Sequence, residues 1–473
     1  MARVYITTPI YYVNDRPHVG HAYTTIAADV LARYHRLRGD EVAFLTGTDE
    51  NSQKTVDAAS RSKEEIRAYT DRLADLWRVT WKELGITNTD FIRTTEDRHR
   101  KVVSEIWKRI LEKGDIYKGK YDGLYCNGHE AFIKESELIG GLCPDHQTRP
   151  ERIVEENYFF KLSKYQKLLL DFYGSNPHFV TPEARFNEVR SFVRSGLEDI
   201  SVSRPGKGWG IPVPDDPTHA IYVWFDALIN YVSAVGIKAW NDHPADVHTI
   251  GKDIVRFHAI IWPAMLISAG LALPKQVATN GFFTIDGVKI SKSLGNAIDP
   301  IDLKQKYGVD ALRYFLLREI PYGGDGDFSE EKLKERYNGD LANGLGNFTA
   351  RVLTLGEKLS GADLKTVDRE IEAKISEAKR DVQDKLSEFK FHEALASVWD
   401  LIATGDAYVN KKKPWETSDS TTIFTLIVLL DNVGGLLLPF LPETSGKITK
   451  SIHWVSPSEL KIKKSEPLFP RIV

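Results

Sequence analysis

The chain has 473 residues, 63 Lys+Arg against 66 Asp+Glu for a formal net charge of −3, with 42% hydrophobic and 27% charged residues. That length exceeds one ordinary domain, and that composition excludes a disordered, collagen-like or disulfide-stapled chain. Near-neutral charge argues against a general coat for nucleic acid, and 2 cysteines cannot staple a chain this long, which predicts a reducing compartment.

Residues 4–8 are β-branched and aromatic and predict a strand. From Gly20 the apolar residues Ile26, Val30, Tyr34 and Leu37 recur at helical spacing until Gly39. Residues 41–48 predict a second strand, which makes a βαβ unit and hence a parallel sheet. Without the apolar core of a signal peptide near Met1, the start predicts a cytoplasmic protein. Ser62 and Glu65 have the spacing of a capping box ahead of a long amphipathic run, and residues 94–114 predict another helix. Over 117–218 the pattern changes to short strands, turns and a Cys/His cluster, ending in the Pro- and Gly-rich stretch 204–214, as expected of an inserted domain. The α/β pattern resumes at 220–225 and at 247–251, each strand feeding an apolar helix, so one sheet is assembled from two separated halves. Beyond about Ile320 helical periodicity covers 331–356, 368–410 and 421–438, which predicts a C-terminal bundle. The most membrane-like stretch, 423–441, contains Asp431, Asn432, Gly434, Gly435 and Pro439 and reads as buried bundle helices, with no membrane partner.

His18, Gly20 and His21 lie where the first strand hands over to its helix, the edge at which α/β proteins bind ligands. Helix N-terminal amides favour anions there, Gly20 permits close approach, and two imidazoles three residues apart can both donate to phosphate. Far downstream, Lys289 and Lys292 sit in a Gly- and Ser-containing loop after an expected hairpin, where two cations can neutralise charge growing on a polyphosphate. Read alone, such lysines are solvated surface. Together and in this order, His-x-Gly-His and Lys-Ile-Ser-Lys-Ser resemble the two hallmark motifs of class I aminoacyl-tRNA synthetases. Residues 7–15 (TTPIYYVND), 47–50 (GTDE), 222–227 (YVWFDA), 251–266 (GKDIVRFHAIIWPAML) and 466–471 (EPLFPR) are similar to the methionyl-tRNA synthetase family, so the resemblance spans nearly the whole chain.

The resemblance implies a Rossmann-type α/β parallel sheet in two halves, split by an inserted zinc-knuckle domain and followed by a C-terminal α-helical bundle. The expected divisions are 1–116 and 219–319 for the two catalytic halves, 117–218 for the insertion, 320–340 for a stem-contact linker and 341–473 for the anticodon-binding bundle. It implies ATP with Mg2+ as substrate complex, held by His18, Gly20, His21, Gly251, Asp253, Lys289 and Lys292, with His18, His21, Lys289 and Lys292 carrying the catalysis. Methionine is expected between Ile10, Tyr12, Asp49, Trp224, Ala227, Leu228, Tyr231, Ile254 and His258. A thioether suits aromatic walls and a carboxylate such as Asp49 suits an ammonium group. Leu228 departs from the proline some members carry. Cys126 and His129, then after a thirteen-residue gap Cys143 and His146, have the ligand count and spacing of a closed structural zinc site. His129 stands where the related one-zinc pattern has cysteine. Asn347 and Arg351, four apart on one helix face, and Trp415 beside three lysines match residues that read the CAU anticodon of initiator and elongator tRNA(Met). A monomer is expected, because no further C-terminal module follows. A leucine, isoleucine or valine enzyme would carry a larger insertion, and a cysteine enzyme a metal in its amino-acid pocket. A small-molecule nucleotidylyltransferase would need no anticodon-reading bundle, and a noncatalytic RNA-binding protein would have no use for both lysines, both histidines and Asp49.

Overall fold

The chain is described by a computed structural model covering residues 2–126, 131–144, 147–206, 208–285, 288–290, 297–357, 359, 366–417, 419–456, 459–463 and 466–472. Strand β1 (Arg3–Tyr12) is almost continuously buried, as a strand covered on both faces must be. It lies mid-sheet among β2 (Glu41–Asp49), β3 (Asp90–Arg93), β4 (Val180–Thr181), β5 (Val247–Gly251) and β6 (Val277–Asn280). The spatial order is β3-β2-β1-β5-β6-β4, with every neighbouring pair parallel. Chain order reverses between β1 and β5, so a crevice opens beyond their carboxyl ends, where doubly wound sheets take ligands. Helix α1 (Val19–Leu37) follows β1 and buries Ile26 and Val30 against the sheet, but Leu37 is half exposed at its end.

Four local expectations change. Ser62 ends the helix Gln53–Ser62 and forms no capping box; Glu65 caps the next helix, Ile66–Glu83, by accepting the Ala68 N–H on its own carboxylate. The strand expected at 220–225 is Asp216–Ile221, which pairs antiparallel inside a separate three-stranded sheet, while Tyr222 already caps the helix Val223–Leu228. The stretch read as one insertion contains a four-stranded sheet built on the long pair Ile116–Cys126 and Glu151–Phe160 and also returns to the parallel sheet as β4. Residues 368–410 form two helices, Arg369–Ser387 and Phe391–Lys412, broken where Phe389 takes a left-handed φ of 59°.

The hairpin expected before the lysine loop is present as Phe283–Ile285 and Val288–Lys289, seated on the short strand Gly326–Asp327. The bundle also holds Asn347–Gly356, Ser420–Leu437 and Pro442–Ser451. Ser420–Leu437 is long and apolar enough to cross a membrane by length and composition, yet Ile423, Leu426, Ile427, Leu430, Val433 and Leu437 are buried in the bundle core. A C-terminal hairpin, Ile452–Ser456 with Glu459–Ile462, closes the otherwise helical bundle.

Candidate active site

At the start of α1 the two motif histidines cap the helix and each other. His18 Nδ1 accepts the Gly20 N–H at 3.1 Å, and His21 Nδ1 accepts the His18 N–H at 3.2 Å. A ring nitrogen that accepts carries no proton, so both imidazoles are Nε2–H tautomers, donors on their outer edge. The rings stack at 3.7 Å, and His21 packs against Tyr11 and Trp77. The lysine-loop flank is fixed close by. Val19 N–H donates to the Ile298 carbonyl at 3.0 Å, and Arg16 pairs with Asp299 at 3.3 Å. Lys289 closes the hairpin strand Val288–Lys289; Lys292 lies outside the described residues.

Tyr12 and Asp49 are register partners at the ends of β1 and β2, as are Ile10 and Gly47. Asp49 is buried. Trp224, on the short helix Val223–Leu228, meets Tyr12 edge-on at 6.4 Å and stacks on Phe257 at 3.8 Å. His258 lies in a π-helical turn, Phe257–Ile261, the kind of local widening that re-aims side chains at sites. Its Nδ1–H donates to the Ile254 carbonyl at 3.0 Å, which leaves Nε2 to accept the Tyr231 hydroxyl at 2.7 Å. Burial lowers His258 to about 4 and pushes Tyr231 up, so both are neutral. Ala227, Leu228 and Tyr231 are buried, Ile254 is half-buried, and Gly251 with Asp253 stands at the end of β5. The crevice therefore joins an apolar, aromatic slot with an acid at its edge to a double imidazole donor.

The profile described as tRNA synthetases class I (M) matches residues 4–153 and 146–353, and that of the anticodon-binding domain of tRNA ligase matches 368–469. Methionine–tRNA ligase of Thermotoga maritima is 44% identical across 96% of this chain and 75% of its own length; that of Rickettsia conorii is 42% identical across 99% and 95%. Among solved structures, Mycobacterium tuberculosis methionyl-tRNA synthetase in complex with methionyl-adenylate superposes with a TM-score of 0.94 at 37% identity, covering 100% of both chains. Its free-state form gives 0.87 at 35% identity, covering 100% of this chain and 99% of the other.

The chain belongs to the methionyl-tRNA synthetase family.

Within this methionyl-tRNA synthetase fold, the bundle side chains fall as follows. Asn347 is exposed at the start of Asn347–Gly356, and Arg351 reaches from that helix to Asp406 and Asn410 of Phe391–Lys412, both at 2.9 Å. Trp415 is 47% exposed, unusual for an indole. Cys126 and Cys143 are both buried; His129 and His146 lie outside the described residues. Sequence reasoning missed Phe257, the plate under Trp224, because an aromatic in an apolar run looks like core. It also missed the polar frame of Asp49: Glu50 is held bidentately by Arg93, Thr95 and Thr48 add hydroxyls, and Trp209 donates to the Glu50 carbonyl.

Proposed function

We propose that this synthetase activates methionine in the crevice beyond β1 and β5 and passes it to tRNA(Met). The observation that carries the reading is the shared crevice, in which paired Nε2–H donors at a helix N-terminus adjoin a slot lined by Tyr12, Trp224, Tyr231 and His258. The methionine carboxylate attacks the α-phosphorus of Mg-bound ATP in line, forming methionyl-adenylate and releasing pyrophosphate. Such phosphoryl-centre chemistry needs mainly positioning and charge stabilisation. Asp49 holds the ammonium group, the aromatic slot takes the thioether, and neutral His258, fixed as an acceptor for Tyr231, leaves no buried cation beside the sulfur. His18 and His21 donate to phosphate oxygens, Lys289 and Lys292 neutralise the leaving pyrophosphate, and Gly251 with Asp253 lines the nucleotide side. The 2′-hydroxyl of the terminal adenosine of tRNA then attacks the adenylate carbonyl, and no protein nucleophile is required. Asn347, Arg351 and Trp415 read the anticodon, the indole as a stacking plate.

Cys126, His129, Cys143 and His146 would hold a zinc ion, and the burial of both thiols fits a structural site. Bound there, the metal would cross-link the insertion and take no part in the reaction. The test of the activity is amino-acid-dependent exchange of pyrophosphate into ATP, run with each proteinogenic amino acid and no tRNA. Exchange with methionine alone is expected; exchange with another amino acid overturns the specificity, and none at all overturns the activation chemistry. Lys292→Ala is expected to slow activation strongly with methionine binding retained.

A further inference from the structure

Behind the pocket lies a polar chain whose core is buried. His99, in the first turn of the helix Asp97–Glu112, places Nε2 2.6 Å from Asp226 Oδ1 and Nδ1 3.0 Å from Ser233 Oγ. Both His99 and Asp226 have side chains at 0% exposure. The Ser233 hydroxyl also lies 2.9 Å from the Ile229 carbonyl. The other oxygen of Asp226 accepts Asn51 Nδ2–H at 2.7 Å, and the Asn51 N–H reaches Asp49 Oδ1 at 3.3 Å. Asp226 is therefore bonded on both oxygens, on one by the His99 ring and on the other by Asn51.

This geometry couples the two walls of the pocket. Asp226 sits between Trp224 and Ala227 on the helix that forms the aromatic wall, whereas Asn51 follows the acid expected to hold the ammonium group. We propose that His99, Asp226 and Asn51 are positioning residues that lock the Trp224 helix and the Asp49 carboxylate into one rigid unit, setting the methionine ammonium-to-thioether span. None touches substrate. The proposal rests on the assignment of Asp49 to the ammonium group.

Removing a hydrogen bond to a charged group weakens what it orients by about tenfold or more, so Asn51→Ala and His99→Leu are each expected to raise KM for methionine by about tenfold. KM for ATP is expected to stay within about twofold, because the nucleotide side lies across the crevice. His99→Gln, which keeps one donor for Asp226, is expected to restore part of the loss. Equal rises in both KM values, or no rise for methionine, overturn the proposal. Asn51 is only half-buried, so that variant carries the test if His99→Leu does not fold. Asp49→Asn separates the two layers. If it leaves KM for methionine unchanged, the ammonium assignment fails and the coupling with it. If it raises KM while Asn51→Ala does not, the assignment stands and the coupling fails.

Discussion

Burial holds His258 near 4, whereas the same imidazole in an unfolded chain takes up a proton near 6.5. Between those values the unfolded chain binds more protons, so this residue's contribution is fully present above about pH 6.5 and is lost as pH falls towards 4, in total about 3 kcal/mol. Urea unfolding across that window is expected to show a steeper loss for the native protein than for His258→Gln, which keeps donor and acceptor without the titration. Gly20 sets a second residue-scale constraint, since a Cβ there would lie 2.9 Å from His18 Cε1. Gly20→Ala is expected to displace the His18 ring and slow pyrophosphate exchange by about tenfold or more, with the melting temperature little changed. Residues such as Tyr12, Trp224 and His258 were legible because each sits in a stretch shared with a known family. Asn51 and His99 lie outside those stretches, and the role of Asp226 inside one of them was not legible, because its bond to His99 spans 127 residues of chain and has no local pattern.

Elements were legible where burial imposes a period. β1 and β2 are covered on both faces and show as apolar runs, and Ser420–Leu437 shows as a helix whose apolar side fills the bundle. The partner of a strand is a different matter, since a short run such as Asp216–Ile221 reads the same in a parallel or an antiparallel sheet. The closing strand Ile452–Ser456 drew no expectation, although its β-branched and aromatic residues before a proline carried the signal. In the bundle, Arg351 ties Asn347–Gly356 to Phe391–Lys412 through Asp406 and Asn410, so its guanidinium is presented on a fixed plane. Arg351→Ala is expected to raise KM for tRNA(Met) by about tenfold or more while leaving methionine-dependent pyrophosphate exchange unchanged. A parallel loss of exchange would place Arg351 in overall stability and remove it from anticodon reading.

At the scale of the whole molecule, a buried cation ties the catalytic layer to the bundle. Arg313 is wholly buried on the helix Val309–Arg318 and pairs with Asp29 of α1 at 2.8 Å. It also donates to the carbonyls of Phe440 and Pro439, at the end of the bundle's apolar helix, and to that of Leu84. Burial alone would raise the Asp29 carboxyl, but Arg313 and Arg33, with Thr87, hold it below its ordinary range. Removing one partner of such a pair strands a charge and, here, three carbonyls. Arg313→Met is therefore expected to destabilise the chain by about 3–5 kcal/mol in urea unfolding, with Arg313→Met combined with Asp29→Asn recovering part of that loss. Because the same side chain touches α1, whose first turn carries His18 and His21, and the loop after Ser420–Leu437, loosening it also frees the bundle to rotate against the crevice. Below its melting temperature the variant is expected to keep pyrophosphate exchange, which needs only the crevice, and to lose tRNA charging, which needs crevice and bundle in register. Loss of both activities in proportion would confine Arg313 to stability and leave the register of the two layers to the surrounding apolar core.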